Sequence, residues 1–153
     1  MKDIRKILFV CTGNSCRSIM AEAYMRKRVS EEGLPVEVRS AGTMGINGMS
    51  PSPQAVKVLS DEGMDAEDLK STGLTRDLIE WADLILVMEP MHKVRILEEV
   101  PEAEGRVQYL ATFDPDKNDV VIPDPIGRPV AFYRTSFSLI KGAIEELMKW
   151  LKK

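Results

Sequence analysis

The sequence has 153 residues, of which 44% are hydrophobic, so it is long enough for one compact domain with a buried core over residues 1–153. Its 21 lysines and arginines stand against 24 aspartates and glutamates, and the formal net charge of −3 argues against a nucleic-acid partner. The first apolar run, residues 7–10, is too short for a signal-peptide core or a membrane span, so we expect a cytoplasmic protein with no membrane partner.

A strand, a polar loop and a helix are predicted at the start of the chain. Residues 7–10 (ILFV) are apolar and partly β-branched, which is typical of a buried strand. The loop 11–17 (CTGNSCR) follows, and then helical spacing of apolar residues up to Gly33, with Ser18 as the expected N-cap. The N–H groups of such a loop and the positive end of the helix macrodipole can surround a tetrahedral dianion.

Two side chains of this loop predict chemistry as well as binding. The planar guanidinium of Arg17 can bind two phosphoryl oxygens at once. Cys11 would lie at the bottom of the loop, where a helix N-terminus can lower a thiol pKa from about 8.5 to roughly 3.5–7.5. We therefore expect a thiolate that attacks phosphorus, although a lone cysteine in another setting is often a small buried apolar residue.

Both cysteines, Cys11 and Cys16, fall within this loop, where they cannot cross-link distant parts of the fold. This usage fits a reducing compartment. A reversible Cys11–Cys16 disulfide that protects the nucleophile and a bystander role for Cys16 both fit the sequence.

The rest of the chain alternates between predicted strands and helices. The strands are expected near residues 6–10, 36–41, 83–88 and 106–110, and the helices near residues 18–33, 53–62, 75–81, 90–99 and 129–153. This alternation predicts an α/β fold in which helices cover both faces of a four-stranded parallel sheet.

The sequence also predicts the location or role of three further side chains in the helices. His92, the only histidine, falls in the fourth helix; it could be a general base, but cysteine chemistry requires none there, and a packing or surface role is favoured. In the last helix the apolar stripe includes Phe132, whereas Tyr133 is expected at the edge of the core.

The polar, proline-rich stretch 111–130 supplies a candidate acid and base. Phosphoryl transfer to cysteine needs a proton for the leaving group and later a base to activate water. One carboxyl can do both, and from chemistry alone Asp114 and Asp124, each followed by a proline, are both candidates.

The motifs CTGNSCRS (11–18), SAG (40–42) and DP (124–125) resemble those of the low-molecular-weight protein tyrosine phosphatase family. That family includes protein arginine phosphatases and, more distantly, thioredoxin-coupled arsenate reductases. The resemblance extends from Ile7 to about Leu151. It implies the strand order 2-1-3-4, which places the loop at the topological switch point of the sheet, where a ligand crevice belongs.

The resemblance also implies roles for individual residues. Cys11 is the expected nucleophile, Arg17 the phosphate-binding cation, and Asp124, just ahead of the last helix, the acid and then the base. Ser18 is expected to donate a hydrogen bond to the sulfur, and Ser40 to hold Asn14. The remaining phosphate-binding positions are Thr12, Gly13, Asn14, Ser15 and Cys16.

Two positions bear on the substrate, which we expect to be a phosphorylated protein. Tyrosine phosphatases of the resembled family typically have isoleucine where this chain has Ser15, and the arginine branch has threonine there. Ile126 lacks the flat face that stacks on a phenyl ring, and it also departs from the phenylalanine that the arginine branch often shows. The sequence therefore favours phosphoarginine slightly over phosphotyrosine.

Two other functions are compatible with an anion-binding loop of this kind. Arsenate reductases of this fold use two further cysteines, but no cysteine follows Cys16. A non-catalytic phosphate-binding module would need neither Cys11 nor Asp124. We expect no metal or other cofactor, because no ligand cluster has metal-binding spacing, and a monomer or weak dimer.

Overall fold

In a computed structural model, which describes residues 1–117 and 119–153, the chain folds around a sheet of four parallel strands. They are β1 (Lys6–Cys11), β2 (Glu37–Gly42), β3 (Leu84–Val87) and β4 (Val107–Tyr109). The strand order β2-β1-β3-β4 confirms the predicted topology. The inner strands β1 and β3 are almost wholly buried, which explains why their sequences are continuous apolar runs.

Five α-helices surround the sheet. Each begins and ends within two residues of its predicted position. They are α1 (Arg17–Glu31), α2 (Pro53–Asp61), α3 (Arg76–Trp81), α4 (Pro90–Glu99) and α5 (Val130–Lys152). Short 3-10 turns flank β4, at Pro101–Arg106 and Leu110–Phe113.

Alternate residues of β1 point to opposite faces of the sheet, and each face has its own core. Ile7 and Phe9 pack with α1, α2 and α5, whereas Leu8 and Val10 pack with α3 and α4. Helices thus cover both faces, as expected. This arrangement holds β1 rigidly and fixes the position of the loop that follows it.

Three predictions about individual side chains are wrong. Ser18 does not cap α1: the helix begins at Arg17, and the N-cap residue Cys16 makes no side-chain capping bond. Phe132 is 48% exposed, whereas Tyr133 is fully buried. The buried stripe of α5 runs through Tyr133, Phe137 and Ile140, a spacing of four and three residues that turns position 132 outward.

The functional end of the sheet is its carboxyl edge, where the segments that follow β1, β2 and β3 meet. Residues 12–16 follow β1, residues 43–52 follow β2, and Glu89 lies two residues beyond β3. Ligands of open α/β sheets bind at this edge. Within the residues that the structure describes, no helix combines the length and the apolar character that crossing a lipid bilayer requires.

Candidate active site

The loop between β1 and α1 is shaped by Asn14. Its φ of 55° is the only left-handed backbone conformation of a non-glycine residue in the described part of the chain. The Asn14 amide nitrogen donates to the hydroxyls of Ser18 (2.7 Å) and Ser40 (2.9 Å), and its oxygen accepts from the Thr72 N–H (2.8 Å). The predicted contact between Asn14 and Ser40 is therefore present, and three bonds hold the loop in this conformation.

Glycine at position 42, the end of β2, allows the loop to lie directly against the sheet. A Cβ atom there would be 2.7 Å from the Thr12 carbonyl oxygen and 2.9 Å from the Asn14 nitrogen. The structural need for Gly42 was not recognised from the sequence, although the SAG motif at 40–42 was the available signal.

Cys11 ends β1 beneath the loop and is almost completely buried. Its Sγ lies 2.8 Å from the Ser18 Oγ, as the resemblance implied. Since the Ser18 oxygen already accepts from Asn14, its own O–H is free to donate to the sulfur.

The pKa of the Cys11 thiol contradicts the expectation of a lowered value. Burial raises this pKa, and the Ser18 hydroxyl, the Ser18 and Asn14 N–H groups and the Arg17 charge act in the opposite direction without cancelling it. The physical reason is that the buried sulfur is no longer hydrated. In addition, the positive charge of Arg17 is partly offset by the carboxylate of Glu89. The donors around the sulfur therefore favour the thiolate and offset part of the effect of burial.

Arg17 is buried and binds several segments at once. Its Nη1 donates to the Glu89 carboxylate (2.5 Å) and to the Ile122 carbonyl (2.9 Å). Its Nη2 lies 3.5 Å from the carboxylate of Asp124 and 3.5 Å from the Thr12 hydroxyl. A buried guanidinium needs such partners. Glu89 was not identified from the sequence, although its place just after a central strand was the available signal.

The structure distinguishes the two aspartate–proline pairs. Asp124 lies beside Arg17 and lines the same cavity as Cys11. Its Oδ1 accepts from the Ile126 N–H (3.1 Å), which orients the carboxylate. Asp114 lines a different cavity and accepts from the Asp116 N–H. Of these two aspartates, Asp124 is the one that shares a cavity with Cys11.

These side chains surround one cavity of about 200 Å³. Cys11 and the loop form its base, and Met44, Ile46, Met49 and Ile126 form apolar walls. No aromatic ring is present among its lining residues in the described part of the chain. The cavity can thus hold a tetrahedral anion at its base and an apolar or extended side chain at its mouth.

Cys16 faces a different set of partners. It is a free thiol like Cys11, and its Sγ lies 3.4 Å from the Ser52 Oγ and 3.5 Å from the Tyr133 hydroxyl. Burial raises the pKa of Tyr133 to about 12. The contact between Cys16 and Tyr133 connects the loop to α5.

Comparison with known proteins gives consistent matches. A family model described as low molecular weight phosphotyrosine protein phosphatase matches residues 6–153. A protein-arginine-phosphatase of Geobacillus stearothermophilus is 38% identical over 148 residues, which are 96% of each chain. The low molecular weight protein-tyrosine-phosphatase PtpB of Staphylococcus haemolyticus is 31% identical, covering 93% of this chain and 96% of that protein.

A solved structure of the YwlE arginine phosphatase, a cysteine-to-serine mutant with a phosphorylated active-site serine, superposes with a TM-score of 0.90. It is 34% identical to this chain, and the match covers 97% of this chain and 96% of that one.

Proposed function

This chain belongs to the low molecular weight phosphotyrosine protein phosphatase family, and we propose that it hydrolyses phosphorylated protein side chains through a thiophosphoryl intermediate on Cys11. The observation that carries the proposal is the convergence of Cys11, Arg17 and Asp124 on one cavity. A binding module would need the cation and the loop but neither a nucleophile nor a proton donor.

In the first step the Cys11 thiolate attacks phosphorus in line with the leaving group. A sulfur–phosphorus bond forms as the phosphorus–oxygen or phosphorus–nitrogen bond breaks, and the protonated Asp124 carboxyl gives its proton to the departing atom. Arg17 and the loop N–H groups stabilise the negative charge on the equatorial oxygens.

In the second step Asp124, now a carboxylate, takes a proton from water, and the oxygen of that water attacks phosphorus. The sulfur–phosphorus bond breaks and phosphate leaves. Cys11 departs as a thiolate, to which the Ser18 hydroxyl donates. The phosphorylated serine in the solved cysteine-to-serine relative supports phosphoryl transfer to a nucleophile in this fold.

We further propose a modest preference for phosphoarginine over phosphotyrosine. Ser15 lines the cavity with a small polar side chain, where a hydroxyl can contact a guanidinium nitrogen. The apolar walls of the cavity offer no ring for a phenyl group to stack on. The arginine phosphatase among the relatives supports the same preference.

The test compares kcat/KM for two peptides of one sequence that carry phosphoarginine or phosphotyrosine at the same position. We expect a higher value for phosphoarginine, and we expect Ser15→Ile to lower it more for phosphoarginine than for phosphotyrosine. Cys11→Ser is the control and should abolish turnover of both. A clear preference of the wild type for phosphotyrosine would overturn the proposed specificity, and binding of both peptides without turnover would indicate a binding module.

A further inference from the structure

His92 lies in the first turn of α4, directly behind the phosphate-binding loop. Its side chain is completely buried, which agrees with a packing role, but it also makes a contact that packing alone does not require. The His92 Nε2 is 3.0 Å from the Oγ1 of Thr12, a residue that lines the cavity.

The N-cap residue and the first turn of α4 contact both ends of the loop. Glu89 binds Arg17 at the end of the loop, and His92 binds Thr12 at its beginning. Glu89 is the N-cap residue of α4 and His92 is the third residue of the helix, so the start of this helix carries both contacts. The backbone N–H of His92 also donates to the Glu89 carbonyl (3.1 Å), which fixes the two backbone positions relative to each other.

The hydrogen-bond pattern indicates where the imidazole proton lies. A neutral imidazole has one N–H, and His92 Nδ1 is the only buried side-chain nitrogen or oxygen in the described residues without a hydrogen-bond partner. A proton on Nδ1 would leave a buried N–H without an acceptor, whereas a proton on Nε2 is bound by the Thr12 oxygen. Arg17 Nη2 approaches the same oxygen at 3.5 Å.

We propose that His92 is a positioning residue, whose Nε2–H donates to Thr12 Oγ1 and so turns the Thr12 hydroxyl hydrogen into the cavity, toward a phosphoryl oxygen. With the Thr12 oxygen accepting from His92 and Arg17, its own O–H is left to donate elsewhere, and the open side of Thr12 is the cavity. The inference rests on the proposed function, because the ligand of the Thr12 hydroxyl is the transferring phosphoryl group.

The first experiment reads the tautomer without using activity. Because the chain has one histidine, nitrogen-15 NMR of the labelled protein gives a single set of imidazole signals. At neutral pH we expect the neutral Nε2–H tautomer, with Nδ1 unprotonated. The Nδ1–H tautomer, or a mixture of the two, would overturn the proposal.

The second experiment compares variants that place an amide at one ring-nitrogen position or the other. The amide of His92→Gln reaches the position of Nε2, whereas that of His92→Asn lies nearer Nδ1. We expect His92→Asn and Thr12→Val each to lower kcat/KM about tenfold and to weaken binding of inorganic phosphate. We expect His92→Gln and Thr12→Ser to keep most of both.

A double variant tests whether the effects of His92 and Thr12 depend on each other. If His92 acts through Thr12, the double variant Thr12→Val/His92→Asn loses no more activity than either single variant. If the activity loss of the double variant equals the product of the two single losses, or if His92→Gln and His92→Asn are equally active, His92 has a packing role only. A wild type that holds the Nε2–H tautomer but hydrolyses no phosphorylated substrate would refute the proposed function and leave the His92–Thr12 contact in place.

Discussion

The Cys11 sulfur lies 2.8 Å from the Ser18 hydroxyl, and this contact opposes the effect of burial on the thiol. Ser18 is itself held by Asn14, which is held by Ser40. The chain of hydrogen bonds thus runs from β2 to the Cys11 sulfur, so residues of β2 can influence the atom that we propose as the nucleophile.

Ser18→Ala should raise the pKa of Cys11 further, because it removes the largest of the effects that lower this pKa. We expect alkylation of Cys11 by iodoacetamide to require a higher pH than in the wild type, and turnover to fall about tenfold or more. The measurement uses a Cys16→Ser background, so that only one thiol reacts. Ser18→Thr keeps the hydroxyl and is the control; an unchanged pH profile in the alanine variant would remove Ser18 from this role.

Asp124→Ala should lower kcat by roughly 10²–10⁴, the usual cost of losing a general acid and base. Asp114→Ala is the matched control, since Asp114 also precedes a proline but lines another cavity. Steady-state kinetics on one phosphopeptide compares the two. Similar losses in both variants would contradict the assignment of Asp124.

Gly42→Ala should distort the loop between β1 and α1, which we propose binds phosphate, because the added Cβ would lie 2.7 Å from the Thr12 carbonyl oxygen. We expect a loss of stability of about 1–3 kcal/mol and weaker binding of inorganic phosphate. Gly105→Ala is the control, because nothing lies within 4 Å of a Cβ at that position. Chemical denaturation and phosphate titration measure both effects, and equal behaviour of the two variants would show that Gly42 is not required.

His92 should make the protein less stable as the pH falls. Burial, with a contribution from Arg17, lowers the pKa of His92 to about 4, although Glu89 and Asp124 act in the other direction. The unfolded-state value is about 6.5, so between these values the unfolded chain binds a proton that the folded chain does not. The stability that this difference contributes is complete above about pH 6.5 and is lost as the pH falls toward 4.

The expected loss from this group is roughly 3 kcal/mol between neutral pH and pH 4. Denaturation curves at several pH values measure it, and His92→Gln should show a flatter dependence over that range because glutamine does not titrate. A variant with the same slope as the wild type would mean that other groups account for the acid sensitivity.

The fold and the central motif were predictable because their signals are local in the sequence. The apolar runs of β1 and β3 and the segment from Cys11 to Ser18 each carry their information within a few consecutive residues. The order of the strands needed the family resemblance, since alternation alone does not fix which strands are neighbours.

Contacts between distant residues were not predictable in the same way. Glu89 and His92 lie 72 and 80 positions from their partners Arg17 and Thr12, and no pattern in the sequence pairs them. The predicted direction of the Cys11 pKa shift was wrong for a related reason. It depends on how completely the fold removes water from the sulfur and on the acidic partner of Arg17.

The most direct test of the account is to trap the phosphorylated enzyme. In Asp124→Asn, an aryl phosphate with a good leaving group can still transfer its phosphoryl group, because departure needs little protonation, whereas hydrolysis of the intermediate lacks its base. Rapid quenching followed by intact-mass measurement and peptide mapping should show one added phosphoryl group on Cys11, and none in the Cys11→Ala/Asp124→Asn variant, whose alanine has no atom that can accept the group. Release of the aryl alcohol without a phosphoryl group on Cys11, or with the group on another residue, would contradict the mechanism.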